Sequence, residues 1–206
     1  MITNGRGLYA ITDEALLAER LLPAVQAALA GGCRWVQYRS KSADAQQRLH
    51  EAAQLVELCR AHNASLLIND DVALAKAVGA AGVHLGQTDM PQLEARRILG
   101  AQAIIGITCH NSLALAQTAQ QNGADYVAFG RFFSSQTKQS APPADLAVLR
   151  AAKTQLAIPV VAIGGITLDN APSVLQAGAD MLAVVGDLFS AQNITARAQA
   201  YTALFT

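Results

Sequence analysis

At 206 residues and 52% hydrophobic content, the chain has enough apolar material for one large core, and its length reads as a single domain over 1–206. Lys plus Arg and Asp plus Glu each number 15, so no net charge draws it to nucleic acid or an anionic membrane, and any anion it binds must be held locally. Cys33, Cys59 and Cys109 are odd in number and lack metal or redox spacing, which suits buried thiols in a reducing compartment.

The opening MITNGRGLYAIT has no basic region followed by a long apolar run. No segment reaches the length of a membrane span, so a soluble, cytoplasmic protein is expected. Eight short apolar runs follow in order: GLYAIT near Leu8, WVQYR near Val36, SLLIN near Leu67, GVHL near Val83, IIGIT near Ile105, YVAFG near Val127, PVVAIG near Val161 and MLAVVG near Val184. Ala-rich segments of helical period separate them, the signature of repeated βα units around a parallel sheet. Three of the strands follow a similar small-residue turn, GAAGV, GADYV and GADML, in which Gly supplies the positive φ that ends a helix. The expected fold class is α/β, a single-domain (β/α)₈ TIM barrel. A doubly wound sheet is the fallback, but ITDEALL is not the Gly-rich loop it would need after the first strand. The polar insert SSQTKQSAPP, 134–143, is the longest helix-free connection and a candidate mobile active-site loop.

In such barrels the site lies at the C-terminal ends of the strands, and the unusual polar residues collect there. Strand alternation in WVQYRSK sets Gln37, Arg39 and Lys41 on one face with Trp35, while Val36 and Tyr38 face the helices. The plain alternative is a solvated strand end. Asp70 and Asp89 follow two consecutive strands, and a convergent pair of carboxylates suits Mg²⁺ that keeps several waters and shares a phosphate. The competing reading makes Asp70 or Asp71 the cap of the helix VALAKAV, and Asp89 the cap of the helix at Pro91. AIGGI and AVVGDLF end the last two strands, where glycines let backbone N–H groups approach an anion. Gly164 and Gly165 are otherwise tight-turn residues. Ser135, Thr137 and Lys138 in the insert add hydroxyls and a cation. His84 is expected to be a core residue bonded to backbone, and His110, just past IGITC, has two readings.

Together these motifs resemble the thiamine phosphate synthase family. QxRxK is matched by QYRSK, IND by IND, GxHxGQxD by GVHLGQTD, GxSxH by GITCH, PTxTK by SSQTK and IGGI by IGGI. They run in order from Gln37 to Gly186. The resemblance implies a (β/α)₈ barrel and transfer of a hydroxymethylpyrimidine group from its diphosphate to the nitrogen of hydroxyethylthiazole phosphate, or of its carboxylated form. It also implies that Gln37, Arg39, Lys41, Asn69, Thr108 and Lys138 hold the pyrimidine diphosphate, with Arg39, Lys41, Lys138 and Thr108 as catalytic candidates. Asp70 and Asp89 would ligate Mg²⁺. Ser135, Gln136, Thr137, Gly165, Val185 and Gly186 would hold the thiazole phosphate.

Three departures stand out against the family pattern. Thr108 replaces Ser but keeps a hydroxyl; Ser134 and Ser135 replace Pro and Thr; Gly186 replaces Ser and removes a side-chain contact, so a weaker thiazole phosphate site is expected. Two other functions stay open. A thiazole tautomerase would use a proton-transferring residue such as His110, and a phosphate-ligand sensor would bind without turnover. The expected partners are phosphorylated small molecules, with neither nucleic acid nor membrane, and self-association stays open.

Overall fold

The computed structural model describes residues 5–134 and 143–206. Each apolar run becomes a strand: β1 Gly7–Ile11, β2 Trp35–Tyr38, β3 Ser65–Asn69, β4 Gly82–Leu85, β5 Ile104–His110, β6 Tyr126–Phe129, β7 Val160–Ile163 and β8 Met181–Val184. All neighbouring pairs are parallel, and β8 pairs with β1 to close the barrel in sequence order. The eight expected strands are thus the eight of the barrel among the described residues.

The helices are α1 Glu14–Leu17, α2 Leu21–Ala30, α3 Ala45–Ala61, α4 Val72–Val78, α5 Gln92–Leu99, α6 Leu113–Gln121, α7 Leu146–Gln155, α8 Ala171–Gln176, α9 Gly186–Phe189 and α10 Ile194–Ala203. Their starts are set by short polar side chains. Asp13, Asp44, Asp71, Ser112, Asp145 and Asn193 each accept a first-turn N–H that has no partner inside the helix. Gly79, Gly123 and Gly178 take positive φ at the three repeated turns, as the sequence echo requires.

The turn carries a second device that its spelling hides. In GADYV and GADML, Asp125 and Asp180 reach across to amides at the start of the preceding strand, at Ile105 (2.8 Å) and Val160 (3.0 Å). A cation from the helix that leads into that strand neutralises each, Arg96 of α5 at 2.6 Å and Lys153 of α7 at 2.7 Å. These clamps sit at the N-terminal end of the barrel, opposite the site, where such residues serve stability.

Strand alternation divides the core in two. Outward residues such as Val36, Tyr38, Val83 and Leu182 pack under the helices. Inward residues form a smaller cluster of Tyr9, Ile11, Trp35, Leu67, Tyr126, Ala128, Val161, Met181 and Ala183. Gly106, inward on β5, lies in register between His84 and Tyr126. A Cβ at this position would strike the Tyr126 ring, so the glycine makes room for the phenol.

All three cysteines are free and buried. Desolvation pushes Cys33 up to about 11, and Cys59 and Cys109 up to about 12, from an ordinary 9.0. Burial likewise raises the phenols of Tyr9, Tyr38, Tyr126 and Tyr201. Above pH of about 9 the unfolded chain therefore binds fewer protons than the folded one, and stability falls as pH rises. The urea midpoint is expected to drop between neutrality and about pH 11; an unchanged midpoint would show that these groups ionise without unfolding.

Candidate active site

A cavity of about 310 Å³ opens at the C-terminal ends of the strands. Its wall is contributed by both halves of the chain: Gln37, Arg39, Asn69 and Thr108 on one side, and Gly165, Val185 and Gly186 on the other.

On β2, Trp35 and Gln37 point inward while Val36 and Tyr38 pack under the helices, as alternation requires. Gln37 is 2% exposed and donates from Nε2 to the Tyr9 hydroxyl at 2.8 Å. Arg39 is half-buried, with Nη1 3.7 Å from Asp13, and its backbone N–H donates to Thr12 Oγ1 at 2.9 Å. The expected alignment of Lys41 with these two does not hold, because β2 stops at Tyr38. Lys41 is exposed and absent from the cavity wall. Its backbone N–H and the Ser40 hydroxyl both donate to Glu14, which holds that carboxyl below its usual range.

The competing roles of the acids separate cleanly. Asp71 accepts from Leu74 N at 2.8 Å and so caps α4. Asp70 takes a positive φ of 62°, is exposed, and accepts from Asn69 Nδ2 at 2.6 Å. Its own N–H donates to the His84 carbonyl at 2.9 Å, which joins the two strand ends. Asp89 is not a cap either, since α5 has Pro91 at its start with no side-chain cap. One Asp89 oxygen instead accepts from Gly86 N at 2.7 Å. Among the described residues no group of three His, Cys, Asp or Glu could hold a metal. Two carboxylates released from capping at adjacent strand ends fit a Mg²⁺ that takes its other ligands from water and phosphate.

Thr108 sits beside a register shift that ends at His110. Its hydroxyl is 2.8 Å from His84 Nε2, and its carbonyl accepts from Gln87. His84 is buried as expected, and its ring nitrogens meet side chains: Nδ1 is 2.8 Å from the Tyr126 hydroxyl. That hydroxyl is 2.9 Å from the one on Tyr9. Tyr9 and Tyr126 were not among the expected site residues; they were hidden as ordinary aromatic members of apolar strands. Arg131 and Asp187 also line the cavity unannounced, and Asp187 is held by Arg197 at 2.9 Å and by the Tyr201 hydroxyl at 2.7 Å.

Gly164 and Gly165 have φ of 103° and 65°. A Cβ at Gly165 would lie 2.5 Å from the Ser134 carbonyl oxygen, so the residue is small because the chain after β6 passes over it. Val185 and Gly186 join β8 to α9. Ser135, Gln136, Thr137 and Lys138 lie outside the described residues, as does most of the 134–143 insert.

A family model described as thiamine monophosphate synthase matches residues 8–188. The chain is 57% identical over 202 residues to the thiamine-phosphate synthase of Marinobacter nauticus, covering 97% of this chain and 90% of that one. A thiamine phosphate pyrophosphorylase structure from Pyrococcus furiosus matches with a TM-score of 0.89 at 36% identity, covering 98% and 96% of the two chains. At 18% identity, a Bacteroides thetaiotaomicron thiamine phosphate pyrophosphorylase shares the fold, with a TM-score of 0.69 over 96% of each chain. A match across both walls of the cavity makes the chain a member of the thiamine monophosphate synthase family of transferases.

Proposed function

We propose that the chain makes thiamine phosphate and pyrophosphate from hydroxymethylpyrimidine diphosphate and hydroxyethylthiazole phosphate, or from its carboxylated form with release of CO₂. The observation that carries the proposal is the shared cavity, in which Gln37, Arg39, Asn69 and Thr108 of the pyrimidine set and Gly165, Val185 and Gly186 of the thiazole set line one space. Family membership supports the same reading over the tautomerase and the sensor.

In this reading the C–O bond at the pyrimidine methylene breaks, and its electron pair leaves with pyrophosphate. Arg39, Lys41 and Lys138 hold the diphosphate and offset the growing charge, with Gln37 and Asn69 orienting it. Thr108 holds the pyrimidine. Asp70 and Asp89 would hold a Mg²⁺, which would supply Lewis-acid stabilisation of the leaving group. The thiazole nitrogen then uses its lone pair to form the C–N bond and has no proton to lose, so the site needs positioning and no general base. Ser135, Gln136, Thr137, Gly165, Val185 and Gly186 would hold the thiazole phosphate while this happens. A cytoplasmic location is proposed with it; among the described residues no helix is long and apolar enough to cross a membrane.

The direct test mixes purified protein with both substrates, with and without Mg²⁺, and follows pyrophosphate and thiamine phosphate together. Equal, Mg²⁺-dependent amounts of both are expected; no product from folded protein would overturn the proposal.

Asp89→Asn keeps an oxygen for the Gly86 N–H but removes a charge, so the fold should persist while kcat falls about 100-fold and half-saturation by Mg²⁺ rises. Full activity in this variant would remove Asp89 from the metal site.

Gly186 has open space where a Cβ would project, and its φ is not positive, so a serine fits there without strain. Gly186→Ser should lower the KM for the thiazole phosphate about 3- to 10-fold through a new hydrogen bond to the anion. An unchanged KM would show that this wall binds by backbone alone.

A further inference from the structure

Five polar side chains from five strands form one chain of hydrogen bonds through the barrel interior. Gln37 Nε2 meets Tyr9 Oη at 2.8 Å, Tyr9 Oη meets Tyr126 Oη at 2.9 Å, Tyr126 Oη meets His84 Nδ1 at 2.8 Å, and His84 Nε2 meets Thr108 Oγ1 at 2.8 Å. Each phenol has a single hydrogen, and burial raises both pKa values, which keeps that hydrogen in place.

The amide end fixes the direction of the whole chain. An NH₂ group only donates, so Tyr9 receives a hydrogen from Gln37 and sends its own to Tyr126. Tyr126 then sends its hydrogen to His84 Nδ1. With Nδ1 accepting, the ring proton must sit on Nε2, where it is donated to Thr108 Oγ1. The reverse polarity would set the Tyr9 hydrogen against the hydrogens of the Gln37 amide. An imidazolium at His84 would force the same conflict, because its Nδ1–H would push the Tyr126 hydrogen back towards Tyr9.

We propose that Gln37, Tyr9, Tyr126 and His84 form a one-way relay that holds neutral, Nε2-protonated His84 and thereby turns the Thr108 hydroxyl hydrogen into the cavity as a donor. Resting on the synthase reading above, the group it meets is an acceptor nitrogen of the pyrimidine ring. That nitrogen lies away from the bond that breaks and the bond that forms, so the hydrogen bond holds the ground state and the transition state alike, and its loss appears in KM and not in kcat. Tyr126 is fully buried and absent from the cavity wall, so it acts only through His84 and Thr108 and is a positioning residue.

Two measurements test this. In ¹⁵N-histidine-labelled protein, long-range ¹H–¹⁵N spectra should show neutral His84 with its proton on Nε2; a proton on Nδ1 overturns the relay. In steady-state kinetics, Tyr126→Phe removes one oxygen that substrate does not reach, and should raise the KM for the pyrimidine diphosphate about 5- to 10-fold with kcat within about 2-fold. Thr108→Val should do the same, and the double variant should be no worse than Thr108→Val alone. Additive effects, or an unchanged KM in Tyr126→Phe, overturn the proposal. If Tyr126→Phe does not fold, Tyr9→Phe cuts the same chain one link earlier and is read in the same way. Wild-type protein that made no thiamine phosphate would defeat the synthase reading, whereas the His84 tautomer would still decide the relay.

Discussion

A polar group that points into a closed barrel loses water and must find its partner among the other strands. This constraint organises the interior. Gln37, Tyr9, Tyr126, His84 and Thr108 come from strands far apart in sequence, yet each is hydrogen-bonded to the next, and no buried side-chain nitrogen or oxygen among the described residues lacks a partner. Packing supports the same arrangement. The His84 and Tyr126 rings stack with centroids 5.6 Å apart, and Tyr126 meets Tyr9 and Trp35 edge-on. Without Gly106 the phenol would have no room, so a residue with no side chain decides where the polar groups meet.

The charges follow a different logic at the two ends. At the N-terminal end, Asp125 and Asp180 are each neutralised by a cation and fixed to strand amides. At the C-terminal end Asp187 is likewise paired, with Arg197, but other acids are set out singly. Asp13 stands near Arg39, Glu14 gathers Ser40 and Lys41, and Asp70 and Asp89 use one oxygen each in the bonds described above. A chain with no net charge can still present a locally charged mouth, because its cations and acids are distributed around it and not averaged over the surface.

How much of this was legible in the sequence depends on whether a residue's role is local. The strands were, because β-branched runs between Ala-rich segments have few other solutions, and so was the inward turn of Gln37. Asp70 and Asp71 were not separable: either suits an N-cap, and the cap goes to Asp71 because its side chain meets Leu74 N while Asp70 has a left-handed backbone. Lys41 was aligned with Arg39 by an alternation that ends at Tyr38. His84 was rightly expected in the core, but its partners are 24 and 42 residues away, and nothing local announces them. Tyr9 and Tyr126 read as apolar strand residues because their hydroxyls matter only once the barrel brings them together.

The two walls of the cavity consequently tolerate change differently. On the side of β1 to β5 and its partner β6, the interior is built from side chains that hold one another, so altering one disturbs the next. On the side of β7 and β8, the wall is made by backbone and small residues, and the demand at each position is steric. At Gly165 that demand is absolute, since the chain at Phe133 and Ser134 crosses where a Cβ would be. At Gly186 there is no such neighbour, and this is where the chain departs from the family's serine. The departure falls on the wall where a lost side chain leaves no buried group unpaired, and so does not disturb the fold.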